Sequence, residues 1–226
     1  KATPHHDEFV ITVASELMTI LTISQTEEEF VERVNNIIVA YTKPEHKHYS
    51  EVKLPNGNII NADAYVDTPS RPVKFGEFNC SKAILKMMRN AMNPNIVQTL
   101  EENPVLVHCG PFANISIGVN SINATKMALK MSDVVVTEAG FGGDLGAEKF
   151  LDIKCQLGNS SPDAIVLVAT VRALKLHGGV KFEDLDKENI EAMRAGECNL
   201  WKHAENMSKY ISKKNVIIAI NRFPSI

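Results

Sequence analysis

Five short runs rich in β-branched residues, separated by longer amphipathic stretches, set the strongest limit on what this chain can fold into. They are IIVAYT from Ile37, VLVH ending at His108, DVVVT ending at Thr137, AIVLVATV ending at Val171 and NVIIAI ending at Ile220. Strands buried on both faces by crossover helices read in this way. The expected fold is therefore α/β, a mostly parallel sheet with helices on both faces. At 226 residues and 44% apolar side chains, the chain can bury a substantial core as one large domain or one and a half small ones.

Helix signals fall between the runs. Thr26 and Glu29 form an S/T-x-x-E capping box that predicts a helix over 27–36. Asn93-Pro94 predicts another helix start, with proline where no amide donor is needed. Further helices are expected over 118–131, 144–156 and 187–212, the last closing with Lys209, Lys213 and Lys214. Trp201 and Met207 on that helix read as packing or subunit contact. Residues 43–79 are rich in Pro, Gly, Asn and charge, and PNGN between EVKL and IINA predicts a hairpin turn. The region from 43 to 80 is expected to be an insertion or small lobe outside the sheet.

The net charge of −3 and a pI near 6.2 give no general attraction for nucleic acid or anionic lipid. The four cysteines, Cys80, Cys109, Cys155 and Cys198, lie far apart and read as reduced thiols of a cytoplasmic protein. The most apolar stretch, VITVASELMTILTIS, is too short for a membrane span and carries Glu16, and Lys1 begins no signal pattern.

Each of the last four runs is followed at once by a polar segment bearing glycine or proline: HCGPFANISIG, TEAGFGGDLG, TVRALKLHGG and NRFPSI. In a parallel sheet these strand ends share one edge, where open α/β folds bind ligands. Gly140, Gly142 and their neighbours either cradle an anion at the start of a helix near Asp144 or simply make a tight turn that Asp144 caps. Glu138, just past a hydrophobic run, is either a metal or water partner or a structural carboxylate. Arg172, Lys175 and His177, followed by Gly178 and Gly179, form a cationic cluster suited to phosphate or carboxylate, or a set of surface ion pairs. His108 is either a catalyst or a hydrogen-bonded structural histidine. Asn221 offers an amide donor and acceptor either to an adenine edge or to its own backbone. Phe112 and Phe223 are either core residues or, beside Pro111 and Pro224, side chains presented on stiff loops.

Six blocks, in order, closely resemble the formate-tetrahydrofolate ligase family, also called 10-formyltetrahydrofolate synthetase. They are ITVASELM at 11–18, NPNIVQTLE at 93–101, HCGPFANI at 108–115, VVTEAGFGGDLGAEKFLDIKC at 135–155, VATVRALKLHGGV at 168–180 and AINRFP at 219–224. The resemblance implies a P-loop-NTPase-like domain over 1–226 that binds nucleotide and folate. It implies a cytoplasmic enzyme of one-carbon metabolism, commonly a tetramer, whose substrates are ATP with Mg²⁺, formate and tetrahydrofolate. Many members are activated by a monovalent cation. Formate is phosphorylated to formyl phosphate, and the formyl group then passes to N10 of tetrahydrofolate. In that frame Glu138, Arg172 and His108 are the catalytic candidates. Gly140, Gly142, Lys175, His177, Gly178, Gly179 and Asn221 would meet the nucleotide and its phosphates, and Phe223 with Pro224 would support the pterin. No residue is assigned to a metal.

The sequence departs from that family in three ways. No G-x-x-x-x-G-K-[ST] loop occurs in the 226 residues, so the chain is expected to be an internal fragment of a longer ligase, inactive alone. Cys109 stands where the family usually has Gly or Ala, and Ile117 where a His is usual. A non-catalytic ligand-binding or assembly module on the same fold is the alternative. A dinucleotide-dependent oxidoreductase would need its G-x-G-x-x-G after the first strand, whereas GFGGDLG follows a late one.

Overall fold

The computed structural model describes residues 11–223, so Pro224 lies outside the described residues. Elements run in the order α1 (Glu16–Ile23), α2 (Glu27–Asn35), β1 (Ile38–Tyr41), β2 (Glu45–Lys53), β3 (Ile59–Thr68), β4 (Pro72–Lys74), α3 (Ser81–Met88), β5 (Asn95–Gln98) and β6 (Pro104–Val107). Then follow α4 (Ile122–Met131), α5 (Gly146–Lys149), a π-helical stretch Phe150–Cys155, α6 (Gln156–Gly158), β7 (Ile165–Thr170), α7 (Val171–His177), α8 (Ile190–Met207) and β8 (Val216–Asn221). The protein mixes helix and strand, and among the described residues no helix is long and apolar enough to cross a membrane. Two compact units divide the chain: Ser24–Pro94, and 11–23 together with 95–223.

In the unit Ser24–Pro94, α2 begins where its capping residues require. The Thr26 hydroxyl accepts from the Glu29 amide at 3.1 Å, and the Glu29 carboxylate accepts from the Gln25 amide at 2.9 Å. Phe30 and Val34, four residues apart, are fully buried on its inward face. β2 and β3 form an antiparallel hairpin pairing Glu45 with Thr68 and Lys53 with Ile59. Its turn is the PNGN stretch, closed by Leu54 N–H to Asn58 O at 2.7 Å, with Gly57 at φ +87°. β1 pairs antiparallel with β4.

The second unit corrects three sequence expectations. Asn93-Pro94 starts no helix: residues 95–107 form an antiparallel hairpin, β5 on β6, closed by Thr99 N–H to Asn103 O at 3.0 Å. A residue before proline is pushed toward extended backbone, and β-branched Ile96 and Val97 keep it there. DVVVT forms no strand, and Val134 and Val136 are 78% and 92% exposed. A strand exists only through its ladder, and the single pairing there is an isolated bridge of Val119 with Ala139. Asp144 caps nothing: α5 starts at Gly146 behind Leu145, which makes no side-chain cap bond.

A mostly parallel sheet is therefore absent among the described residues, where all four sheets are two-stranded and only β7–β8 is parallel. Nor do helices cover both faces of that pair. Val166, Val168 and Ile217 are exposed while Ile165, Leu167 and Ile218 are half-buried, the alternation of strands covered on one side. A core of Leu151, Cys155 and Met207, with Phe150, Ile165 and Val216 packed against it, joins the π-helical stretch to β7, β8 and α8. Met207 is core, whereas Trp201 is exposed. α4 begins at Ile122, four residues later than expected, because Ser121 caps it by accepting from the Ala124 amide at 2.9 Å.

Candidate functional site

Two loops meet in the second unit. The segment 113–118 packs on 139–146 so closely that only glycine fits at the crossing. A Cβ on Gly140 would lie 2.9 Å from the Gly118 carbonyl oxygen across the crossing, and one on Gly146 would lie 1.6 Å from the Gly140 carbonyl oxygen within the glycine turn itself. The Gly140 amide donates to that same Gly118 oxygen at 2.9 Å. Lys149 of α5 holds the other strand of the crossing, its Nζ donating to the Ala113 carbonyl and, at 2.7 Å, to the Ser116 carbonyl. The amides of Leu145 and Gly146 are already spent on the Gly142 carbonyl, each at 3.1 Å. The glycines thus serve the turn first.

Around this crossing the candidates differ in exposure. Glu138 is exposed, between Thr137 and the Ala139 bridge. His108 is 6% exposed, its Nδ1 at 2.6 Å from the Ser121 hydroxyl that also caps α4. A hydroxyl has one proton and two lone pairs, so Ser121 serves both and fixes the imidazole plane. Cys109 follows at φ +58°, a left-handed conformation that costs a side chain about 1 kcal/mol or more, and its thiol is pushed up by burial against a hydrogen bond to Thr22 and the charge of Lys154. Ile117 is core.

The second group lies on β7, α7 and β8. Parallel register places Thr170 beside Asn221, so the two strand ends share one edge. Thr170 caps α7 by accepting from the Ala173 amide at 2.9 Å, which sets Arg172 in the first turn next to that edge. Arg172 pairs with Asp186 at 2.5 Å and lies over the Phe182 ring at 5.9 Å. Asn221 is exposed and Phe223 partly so. Lys175, 1% exposed, points inward and donates to the Lys187 carbonyl at 2.9 Å. His177 and Gly179 are exposed at the opposite end of α7, seven residues or about 10 Å along the helix axis. Gly178 is a packing residue, since a Cβ there would lie 1.8 Å from the Ala192 carbonyl oxygen of α8. The structure thus gathers Arg172 and Asn221 at one end of α7 and leaves His177 and Gly179 at the other.

Comparison with known families decides what kind of chain carries these loops. The family model described as formate-tetrahydrofolate ligase matches residues 1–57 and 50–225. The chain belongs to the formate-tetrahydrofolate ligase family. The two matched segments of this ligase relative overlap at 50–57, across the turn of the β2–β3 hairpin.

Three residues of this family member that the sequence reading passed over hold the crossing in place: Lys149, Lys154 and Asn120. Lys154 is 2% exposed, and its Nζ donates to Asn120 Oδ1 at 2.5 Å and lies 5.2 Å from the Phe150 ring centre. Burial pushes its ammonium down to about 8, against the pull of the Cys155 and Cys109 thiols. A signal for it exists in the sequence. Lys154 follows Phe150 and Leu151 by four and three residues, on the helix face that periodicity reserves for apolar side chains. Lys175, four residues after Val171, obeys the same rule.

Among the described residues no group of three or more His, Cys, Asp and Glu side chains is arranged to hold a metal ion.

Proposed function

We propose that this chain serves the ATP-dependent ligation of formate to tetrahydrofolate, giving 10-formyltetrahydrofolate, ADP and phosphate. Membership of the ligase family over nearly the whole chain carries the reading. A formate oxygen attacks the γ-phosphorus and ADP leaves; N10 of the folate then attacks the formyl carbon and phosphate leaves. Both steps shift negative charge between oxygens, so positioned cations and amides do most of the stabilising. When bound, Mg²⁺ would neutralise phosphate charge beside Glu138.

The chain's own groups fit these tasks unevenly. Arg172 is half-exposed, and its ion pair with exposed Asp186 is of a class worth only about 0–1 kcal/mol, so its guanidinium is released to an anion at little cost. Arg172 and Asn221 share the β7–β8 edge, where the base and phosphates would lie, with Phe223 near the pterin. His108, held by Ser121, is assigned to the site on resemblance. Lys175, Gly178 and Gly142 act by shaping the loops, and Gly140, His177 and Gly179 are assigned to the nucleotide on resemblance. The parallel β7–β8 pair with α7 and α8 supports a P-loop-NTPase-like reading of this part of the fold.

No G-x-x-x-x-G-K-[ST] loop is present in the 226 residues, so we infer that this polypeptide alone forms no 10-formyltetrahydrofolate. The test supplies ATP, labelled formate and tetrahydrofolate to this chain and to the product of the full reading frame. Formylation by the latter, strongly reduced by Glu138→Gln, is expected. A full-frame product that forms none would instead favour the non-catalytic module, to which Ile117 in the core also points.

A further inference from the structure

The segment 118–120 brackets Glu138 from both sides. On one side Thr137 Oγ1 donates to Asn120 Oδ1 at 3.4 Å. On the other, Ala139 bridges Val119, and the Gly140 amide donates to the Gly118 carbonyl at 2.9 Å. Three residues of one segment thus grip the residues before and after the carboxylate.

A charge also reaches that segment. Asn120 Oδ1 takes three donors, Thr125 Oγ1 and Thr137 Oγ1 at 3.4 Å and Lys154 Nζ at 2.5 Å. An amide oxygen has two lone pairs, and the short bond from the ammonium dominates the set. Lys154 lies in the π-helical stretch. Such widened turns are rare and frequent at functional sites, and this one places a lysine where helical period calls for an apolar residue. A buried ammonium is costly, yet Lys154 faces the neutral amide of Asn120, the Phe150 ring and the thiols of Cys109 and Cys155.

We propose that Lys154 is a positioning residue of the site: through Asn120 its buried ammonium sets the 118–120 segment, and thereby the place of Glu138. The inference rests on reading Glu138 as a site residue. It goes further in making the geometry of that carboxylate depend on the charge of a side chain that touches no substrate. As pH rises through the Lys154 pKa of about 8, the amine loses its charge-assisted bond, and Thr137 and Ala139 relax together.

Methyl NMR of the whole 226-residue chain tests this without any turnover. The Thr137 and Ala139 methyl signals and the Lys154 Cε signal are followed from pH 6.5 to 10. The expected result is that all three move with one midpoint, near 8. In Lys154→Met the two methyl signals lose that step. In Lys154→Arg they stay at the wild-type low-pH position throughout. Cys109→Ser and Cys155→Ala, which remove the two facing thiols, keep the step. Methyl signals that stand still while Lys154 titrates, that titrate unchanged in Lys154→Met, or a Lys154 Cε midpoint at the ordinary lysine value would each overturn the proposal. If Lys154→Met does not fold, the wild-type midpoints and the two cysteine variants decide. Failure of the ligase reading looks different: full-frame Glu138→Gln would then formylate normally while the methyl signals still follow Lys154.

Discussion

The two halves of the larger unit hold their loops by opposite means. Around β7 and β8, regular elements rest on one another. The strands pair from Ile165–Val216 to Thr170–Asn221, α7 lies on α8 through Gly178, and buried Lys175 donates a hydrogen bond to a main-chain carbonyl. Around 104–155, one loop is held to another by side chains: Lys149 on the 113–116 carbonyls, Lys154 on Asn120, and Ser121 on both His108 and α4. A main-chain acceptor is there whatever the side chains are. A side-chain acceptor such as Asn120 ties the geometry to residue identity and to charge.

That contrast is broken most forcefully at the glycines. Gly178→Ala puts a methyl 1.8 Å from the Ala192 oxygen and should cost about 3 kcal/mol or more, whereas Gly110→Ala, with nothing within 4 Å, should change stability by less than about 0.5 kcal/mol. Guanidinium denaturation measures both. Equal costs would mean that α7 and α8 are not in backbone contact.

Next in size is the pH response of the charged half. A lysine whose folded pKa is lowered binds its proton less tightly than in the unfolded chain, so its part of the stability grows as pH rises from about 8 to 10.5 and is lost as pH falls back through 8. The swing is about 3 kcal/mol. Burial raises the thiols of Cys109 and Cys155, and raised acids act in the opposite sense, their part being lost as pH climbs through the folded values. The comparison is therefore between variants: stability measured at pH 7 and pH 10 should lose the lysine's upward component in Lys154→Met.

Smaller effects sharpen the comparison at the helix caps. Ser121→Ala removes the cap of α4 and the bond to His108, and should cost about 2 kcal/mol by thermal unfolding. Thr170→Ala removes a cap alone and should cost about 1 kcal/mol. The smallest is Asp186→Asn, which frees Arg172 from an exposed pair. It should alter stability by no more than about 0.5 kcal/mol while leaving nucleotide affinity, measured by calorimetry on the full-frame product, equal or tighter.

Legibility followed the same division. The β7 and β8 runs were readable because both are β-branched and both find a ladder partner. The capping box at Thr26 and the PNGN turn were readable because their chemistry is local. DVVVT carries as many β-branched residues, yet strand formation depends on a neighbour that composition does not specify, and Val134 to Val136 have none among the described residues. Asn93-Pro94 could open a helix or end an extended stretch, and the closing turn at Thr99–Asn103 decided for the hairpin. At the site, the glycines of 140–146 were visible as a group, but not the difference between gripping an anion and crossing another loop. Lys154 escaped notice, and Lys175 was expected in an exposed cationic cluster, because charge was read as surface.

Gly178 and Gly196 bring the backbones of α7 and α8 together: a Cβ on the first would strike the Ala192 oxygen, and one on the second would lie 1.9 Å from the Leu174 oxygen. Two helices seated backbone to backbone at these points have no rotamers there to absorb a change of residue. The same α8 that receives α7 at Gly196 also carries His203, whose Nδ1 lies 3.0 Å from where a Gly143 Cβ would be, so one helix limits residue size both at α7 and at the glycine turn.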